Sequence, residues 1–286
     1  MVSITNKRSR DYTISKQQLS RNTIVDLLEI VGGSARPGYL ICDVDMSYTS
    51  LLLKKLYNRG VKTTVTALLI KAIGIAQRYH TVSRTESLPL GSLVTYNNIV
   101  AGFTVERIVD GQPTVFLGEI NHPDLKSIEQ ISNELKHYAN APIDEIEPIR
   151  LQQLLSHCPA FVRRLILIFA KCFPALRLKC QKASFGLTSL GKFGVSALLS
   201  PCLCSSTFGI GELEERPVVI DNQIEIKNQM TISLNFDLRA FDYAEAADFL
   251  NTVCMLLEGK LEPLWNEKEN VNLKTNLTSP SMELVS

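Results

Sequence analysis

Apolar residues recur with helical spacing in some stretches of the chain and alternate with polar ones in others. Over 19–31, Ile24, Leu27, Leu28 and Val31 share one helical face, and Gly32-Gly33 ends the run. Residues 39–46 alternate instead, with Leu40, Cys42, Val44 and Met46 set against Ile41, Asp43 and Asp45, which is the period of a strand. Ser47 or Thr49 then caps a helix carrying Leu52, Leu53 and Leu56 and ending near Gly60. Residues 64–79 predict a strong helix, with Val65, Leu68, Leu69, Ala72, Ile73 and Ala76 as its stripe and Lys71 and Arg78 off it.

Strands are predicted at 94–105 and 112–120, flanking an Asp110-Gly111 hairpin turn. A helix over 127–138 is capped by Ser127, and 142–148 is an acidic linker. Strand patterns return at 184–190, 207–213, 218–220, 224–226 and 230–236, with Asp221-Asn222 as a turn, before a closing helix at 243–257. This order gives an α+β fold, with helices covering one face of a mixed sheet. No internal repeat or compositional break divides it. The expected organisation is one domain over 19–264, with flexible ends at 1–18 and 265–286.

Composition changes the picture little. Of 286 residues, 45% are hydrophobic and 21% charged, as in ordinary soluble domains. The net charge of +1 supplies no global field for nucleic acid, and no nucleic-acid partner is expected. Cysteines stand at 42, 158, 172, 180, 202, 204 and 254 without zinc-site spacing, so no metal is expected and the thiols read as buried and free in a reducing compartment. The polar N-terminus lacks a signal peptide's apolar core, and no apolar run reaches the roughly 20 residues that span a bilayer. A cytoplasmic location is the expectation.

Six blocks, in order, resemble the catalytic domain of the dihydrolipoyl acyltransferases of 2-oxoacid dehydrogenase complexes. Asp43-Val-Asp-Met46 resembles that family's E-V-D-V strand, and the helix from Thr64 to Ala72 resembles one ending L-I-K-A. Asn98-Ile-Val-Ala-Gly102 stands for N-I-G-V-A, and the run from Ser184 to Gly194 for T-F-T-I-S-N-L-G-x-F-G. The run from Phe208 to Pro217 resembles I-L-G-V-G-x-x-x-x-R-P, and that from Ser233 to Tyr243 lies over the signature S-L-S-x-D-H-R-x-x-D-G. The resemblance implies a chloramphenicol acetyltransferase-like two-layer sandwich and a homotrimer with each active site in a channel between two subunits. It also implies coenzyme A or acyl-coenzyme A as substrate, and a small-molecule acyl acceptor or a carrier-protein thioester as partner.

In that family the signature histidine is the general base, and a hydroxyl from the F-T-x-S segment of the neighbouring subunit steadies the oxyanion. Carried over by position, Thr188 keeps that hydroxyl, with Ser189 beside it. Asp237, Arg239 and Asp242 are retained, and Asp237, Ser189 and Tyr243 would face substrate. Leu238 occupies the place of the base and Tyr243 that of the final glycine. Losing a positioned base costs roughly 10²–10⁴ in rate. His80, His122, His137 and His157 fall outside these blocks and read as solvent-facing. The plainer alternative makes Asp237, Arg239 and Asp242 an ion-paired turn that sets up the last helix, and Thr188 an ordinary strand residue. The glycines at 186, 191, 194, 209 and 211 suit turns or close packing rather than phosphate binding.

Residues 150–182 are longer and more apolar than the family's connection. They carry Arg150, Arg163, Arg164, Lys171, Arg177, Lys179 and Lys182 and no acid. Between Pro159 and Pro174, Phe161, Val162, Leu165, Ile166 and Phe169 follow helical spacing. Three readings stand: peripheral membrane contact through 159–174, a channel wall beside the coenzyme A phosphates, or a helix packed on the domain or another subunit. With no lipoyl domain before residue 19, a stand-alone relative is expected. It is an acyltransferase with a remodelled site, a non-catalytic binding or assembly subunit, or a channel repurposed for another reaction.

Overall fold

A computed structural model of the chain describes residues 21–261 apart from Asp110; the expected flexible ends therefore lie largely outside the described residues, as does half of the Asp110-Gly111 turn. The elements are α1 (Asn22–Ile30), β1 (Pro37–Asp45), α2 (Ser47–Asn58), α3 (Val65–Tyr79), β2 (Thr85–Ser87), β3 (Leu93–Thr95), β4 (Val100–Val109) and β5 (Gln112–Asn121). There follow α4 (Ile128–Asn140), α5 (Glu147–His157), α6 (Ala160–Cys172), α7 (Pro174–Cys180), β6 (Phe185–Ser189), β7 (Ser206–Ile220), β8 (Gln223–Asp237) and α8 (Tyr243–Met255).

Six strands form one mixed sheet in the order β1-β8-β7-β6-β4-β5, parallel at β4/β6 and β6/β7 and antiparallel elsewhere. Ile232, Leu234 and Phe236 of β8 are fully buried, and Phe208 of β7 meets Phe249 of α8 edge to face at 5.7 Å. The helical layer therefore lies on that face, as the α+β pattern predicts. The opposite face is covered too. Ser233 donates its hydroxyl to the Leu198 carbonyl, and the Asn235 side-chain amide donates to Ser200 O, so the stretch at 198–200 lies across the sheet. Gly209 and Gly211 permit that crossing: a Cβ would meet Leu198 O at 1.9 Å and Ser196 O at 2.0 Å.

Helix starts follow local chemistry. Thr64 caps α3 by accepting from Ala67 N, and Ser127 and Gln130 form a reciprocal capping box on α4. Neither Ser47 nor Thr49 caps α2: Ser47 N donates to Asp45 Oδ1 at 2.8 Å, and the buried Thr49 hydroxyl donates to Leu257 O. Lys71, off the apolar stripe, is buried as well. Helix α3 is buried on every side from Ala67 to Gln77, and the Lys71 ammonium donates to the carbonyls of Asp124 and Lys126 at 2.7 and 2.8 Å. The acidic linker at 142–148 instead holds a short 3₁₀ turn and the start of α5.

Four predicted C-terminal strands merge into two long ones, joined at Asp221 and Asn222, both with positive φ (49° and 62°). The outer half of this hairpin leaves the sheet as a two-stranded ribbon. It carries Val219, Ile224 and Ile226 more than 70% exposed. Only two thiols are fully buried, Cys202 and Cys204, whereas Cys172 is exposed and Cys42 and Cys254 face each other at 3.2 Å between sulfurs.

Candidate functional site

Strand β8 ends in a turn locked by one carboxylate. Asp237 accepts from the backbone N–H of Arg36 (3.2 Å) and of Arg239 (3.1 Å), and its carboxylate pairs with the Arg239 guanidinium. Burial raises its pKa, but the Arg239 side chain and the two N–H groups outweigh burial and hold it below the usual carboxylate range. Between these partners Leu238 is held by its own N–H, which donates to Arg36 O at 2.9 Å, and its side chain is 39% exposed. The position of the expected base is thus preformed and presented. A hydrocarbon occupies it.

Asp242 is a helix cap. Its carboxylate accepts from Glu245 N at 2.9 Å and Glu245 reciprocates on Asp242 N, which fixes the start of α8. Tyr243 opens the helix, half exposed, with its ring edge-on to Phe236 at 5.4 Å.

Thr188 stands elsewhere in the same sheet. It pairs with Gly209, which pairs with Ser233, so Thr188 and Leu238 lie two strands and five residues apart. At strand spacings that is roughly 15–20 Å. The Thr188 side chain is half-buried and makes no hydrogen bond among the described residues, and Ser189 is exposed. One chain therefore brings Asp237, Leu238, Arg239, Asp242 and Tyr243 together but not Thr188 or Ser189. None of the four histidines replaces the base. His122, His137 and His157 are exposed, while His80 departs from its expected exposure. It packs on Phe249 and shares a 2.8 Å hydrogen bond with the Thr252 hydroxyl.

Asp237 and Arg239 also line a cavity of about 200 Å³ that sequence reasoning missed. Its other walls are α1, α5, α6, α7 and the buried segment around Cys202–Ser205. Helix α6 turns Arg163, Leu167 and Ala170 inward, and the Arg163 and Arg164 guanidinium groups pair with Asp26 of α1. Arg177 of α7 is buried, stacked over Tyr96 at 4.5 Å and paired with Glu86; burial opposes its charge, and Glu86 more than offsets that. Burial pushes the Cys204 thiol up to about 12. Lys171 shares the inner phase of Leu167, and that spacing is the signal that could have revealed the cavity. Among the described residues no cluster of His, Cys, Asp and Glu could hold a metal ion.

Residues 177–264 match the family described as the 2-oxoacid dehydrogenases acyltransferase catalytic domain. The lipoamide acyltransferase component of the branched-chain alpha-keto acid dehydrogenase complex of Pseudomonas putida is 38% identical over 86 residues, 29% of this chain and 20% of that protein. A chloroplastic acetyltransferase component of the Arabidopsis thaliana pyruvate dehydrogenase complex is 26% identical over 86% of this chain and 45% of its own length. The chain thus spans less than half of these relatives. Among solved structures, a probable dihydrolipoamide acetyltransferase from Listeria monocytogenes shares the fold at TM-score 0.64, with 17% identity, covering 91% of this chain and 98% of that one. A truncated catalytic core from Thermoplasma acidophilum does so at 0.61, with 19% identity over 86% and 97%. Residues 177–264 thus match the 2-oxoacid dehydrogenase acyltransferase catalytic domain in sequence, and the described residues share the fold of its solved structures.

Proposed function

We propose that the protein is an acyltransferase of the dihydrolipoyl type with a remodelled site. It takes an acyl group from coenzyme A or a carrier thioester and passes it to a small-molecule acceptor. The observation that carries this reading is the Asp237–Arg239 turn, which keeps its ion pair and backbone bonds while presenting position 238. The acceptor's thiol or hydroxyl attacks the thioester carbonyl, the carbon–sulfur bond breaks, and the donor's thiolate, that of coenzyme A or of the carrier, leaves and takes up a proton. Thr188 donates its free hydroxyl to the oxyanion. With Leu238 in place, the acceptor's proton goes to water, which makes the reaction slow for any acceptor that is a weak acid.

Since Thr188 and Leu238 are far apart in one chain, the site requires two copies, and we place it in a homotrimer. The exposed apolar ribbon and the outer face of α6, with Phe161, Leu165 and Phe169, supply surface for subunit contacts. Membrane docking of α6 is less supported, because Arg163 and Arg164 are paired with Asp26 rather than free for anionic lipid.

Leu238 favours a second reading, a non-catalytic binding or assembly subunit. Calorimetry with acetyl-coenzyme A, light scattering and an acetyl-transfer assay on the same preparation separate the two. The first reading expects a trimer that binds the thioester and turns over far below the enzyme median of about 10 s⁻¹. A trimer that never binds coenzyme A leaves the assembly role, and a monomer at micromolar concentration removes the shared site.

A further inference from the structure

The cavity beside the β8 turn is built within one chain, largely by helices of the 150–182 segment, and its walls are of two kinds. Leu27, Leu155, Ile166 and Leu167 are apolar. Ser205, just before β7, and Asp237, the last residue of β8, line it as well, and the two strands pair next to them at Ser206 and Phe236. The Ser205 hydroxyl is buried and has no hydrogen-bond partner among the described residues. An unsatisfied buried hydroxyl is costly, and a bound group that accepts from it removes the cost.

Lys171 of α6 lines the cavity within the field of Arg239 and Asp237. It makes no hydrogen bond or ion pair among the described residues, and burial together with the nearby Arg239 charge lowers its pKa. Three of the other charges of the lining are answered by ion pairs, Arg177 by Glu86, Arg163 by Asp26, and Asp237 by Arg239, and Lys179 and Lys182 are equalled in number by Glu119 and Glu147. The charge of Lys171 is then the net excess of the lining.

We propose that this cavity binds a small monocarboxylate with an unbranched or lightly branched apolar chain. The carboxylate sits on Lys171 and Ser205 beside Arg239, and the chain lies among Leu27, Leu155, Ile166 and Leu167. A monoanion matches the one net positive charge of the lining. The size follows from the volume, since a dry cavity of roughly 150 Å³ holds benzene. A space of about 200 Å³ takes about eight non-hydrogen atoms, a six-carbon acid. The site goes beyond the acyl-transfer reading and stands whether or not the chain turns over.

Calorimetry on the full chain with hexanoate, acetate and 1-hexanol tests the assignment. Hexanoate should bind saturably. Acetate, lacking four methylenes worth about 0.8 kcal/mol each, should bind about two-hundredfold more weakly. Hexanol should be at least tenfold weaker than hexanoate. Lys171→Gln, at a half-buried position, should weaken hexanoate about tenfold or more and leave hexanol unchanged. Ala170→Leu should fill the space and abolish binding of both; circular dichroism checks that it folds, and Lys171→Gln decides if it does not. Equal affinity for hexanoate and acetate, indifference to Lys171→Gln, or no saturable hexanoate binding at millimolar concentration each overturns the proposal.

Discussion

The β8 turn and the α5–α7 cover meet at one cavity, yet they hold their charges in different ways. In the turn, Asp237 and Arg239 are neighbours two residues apart, and the pair is secured by backbone N–H groups of the same bend. In the cover, Arg163 reaches a carboxylate 137 residues away, and both side chains are 95% or more buried. Local pairing preserves the shape of the turn cheaply. Long-range buried pairing makes a whole layer depend on a single partner.

The largest effect expected from that contrast is on stability. Asp26→Ala leaves Arg163 buried without its carboxylate and should lower unfolding free energy by about 3–5 kcal/mol. Urea denaturation measures this, and a loss under 1 kcal/mol would mean the cover settles on other contacts. Second comes Leu238→His, which puts an imidazole into the preformed turn and should raise acyl transfer roughly 10²-fold. A trimer that binds coenzyme A and gains nothing from this change points to a channel rebuilt for other chemistry. Adding Tyr243→Gly should gain more than the single change, because it removes a half-exposed ring that packs on Phe236 beside the same turn.

Asp242→Ala, which removes the cap of α8, should cost about 0.5–2 kcal/mol of stability. Activity restored by Leu238→His should survive it, since the capped end is one turn away from position 238. The smallest effect is a pH dependence of stability. Burial lowers the pKa of His80 from 6.5, against the opposing pull of Asp248. The unfolded chain then binds the proton first, so stability is full above about 6.5 and falls as the pH drops through that value toward the folded one. Thermal melts of His80→Gln should lose this component.

Much of this fold was legible because its segments obey one period at a time. The stripe of α3, the capping box at Ser127 and the Asp221-Asn222 turn all follow from residues within a few positions of each other. What escaped depended on distant partners. Lys71 lies off the apolar stripe, and only the fold brings it to two carbonyls beyond β5; His80 looked solvent-facing until α8 packed over it. Strands β7 and β8 looked like four pieces because their outer halves lack a buried face to keep the alternation. For the site, position alone gave the turn residues, but the cavity needed the 150–182 helices to be placed. The 159–174 spacing gave α6, not what it leans against.

The projecting ribbon of β7 and β8 has a use of its own. Two strands without a third neighbour are marginal in water, so the amides beyond Leu213 and before Met230 should take up deuterium quickly in an isolated subunit. Subunit contacts over Val219, Ile224 and Ile226 would slow them. The rate of isotope uptake in this one segment thus becomes an internal gauge of assembly, readable by mass spectrometry at concentrations too low for scattering.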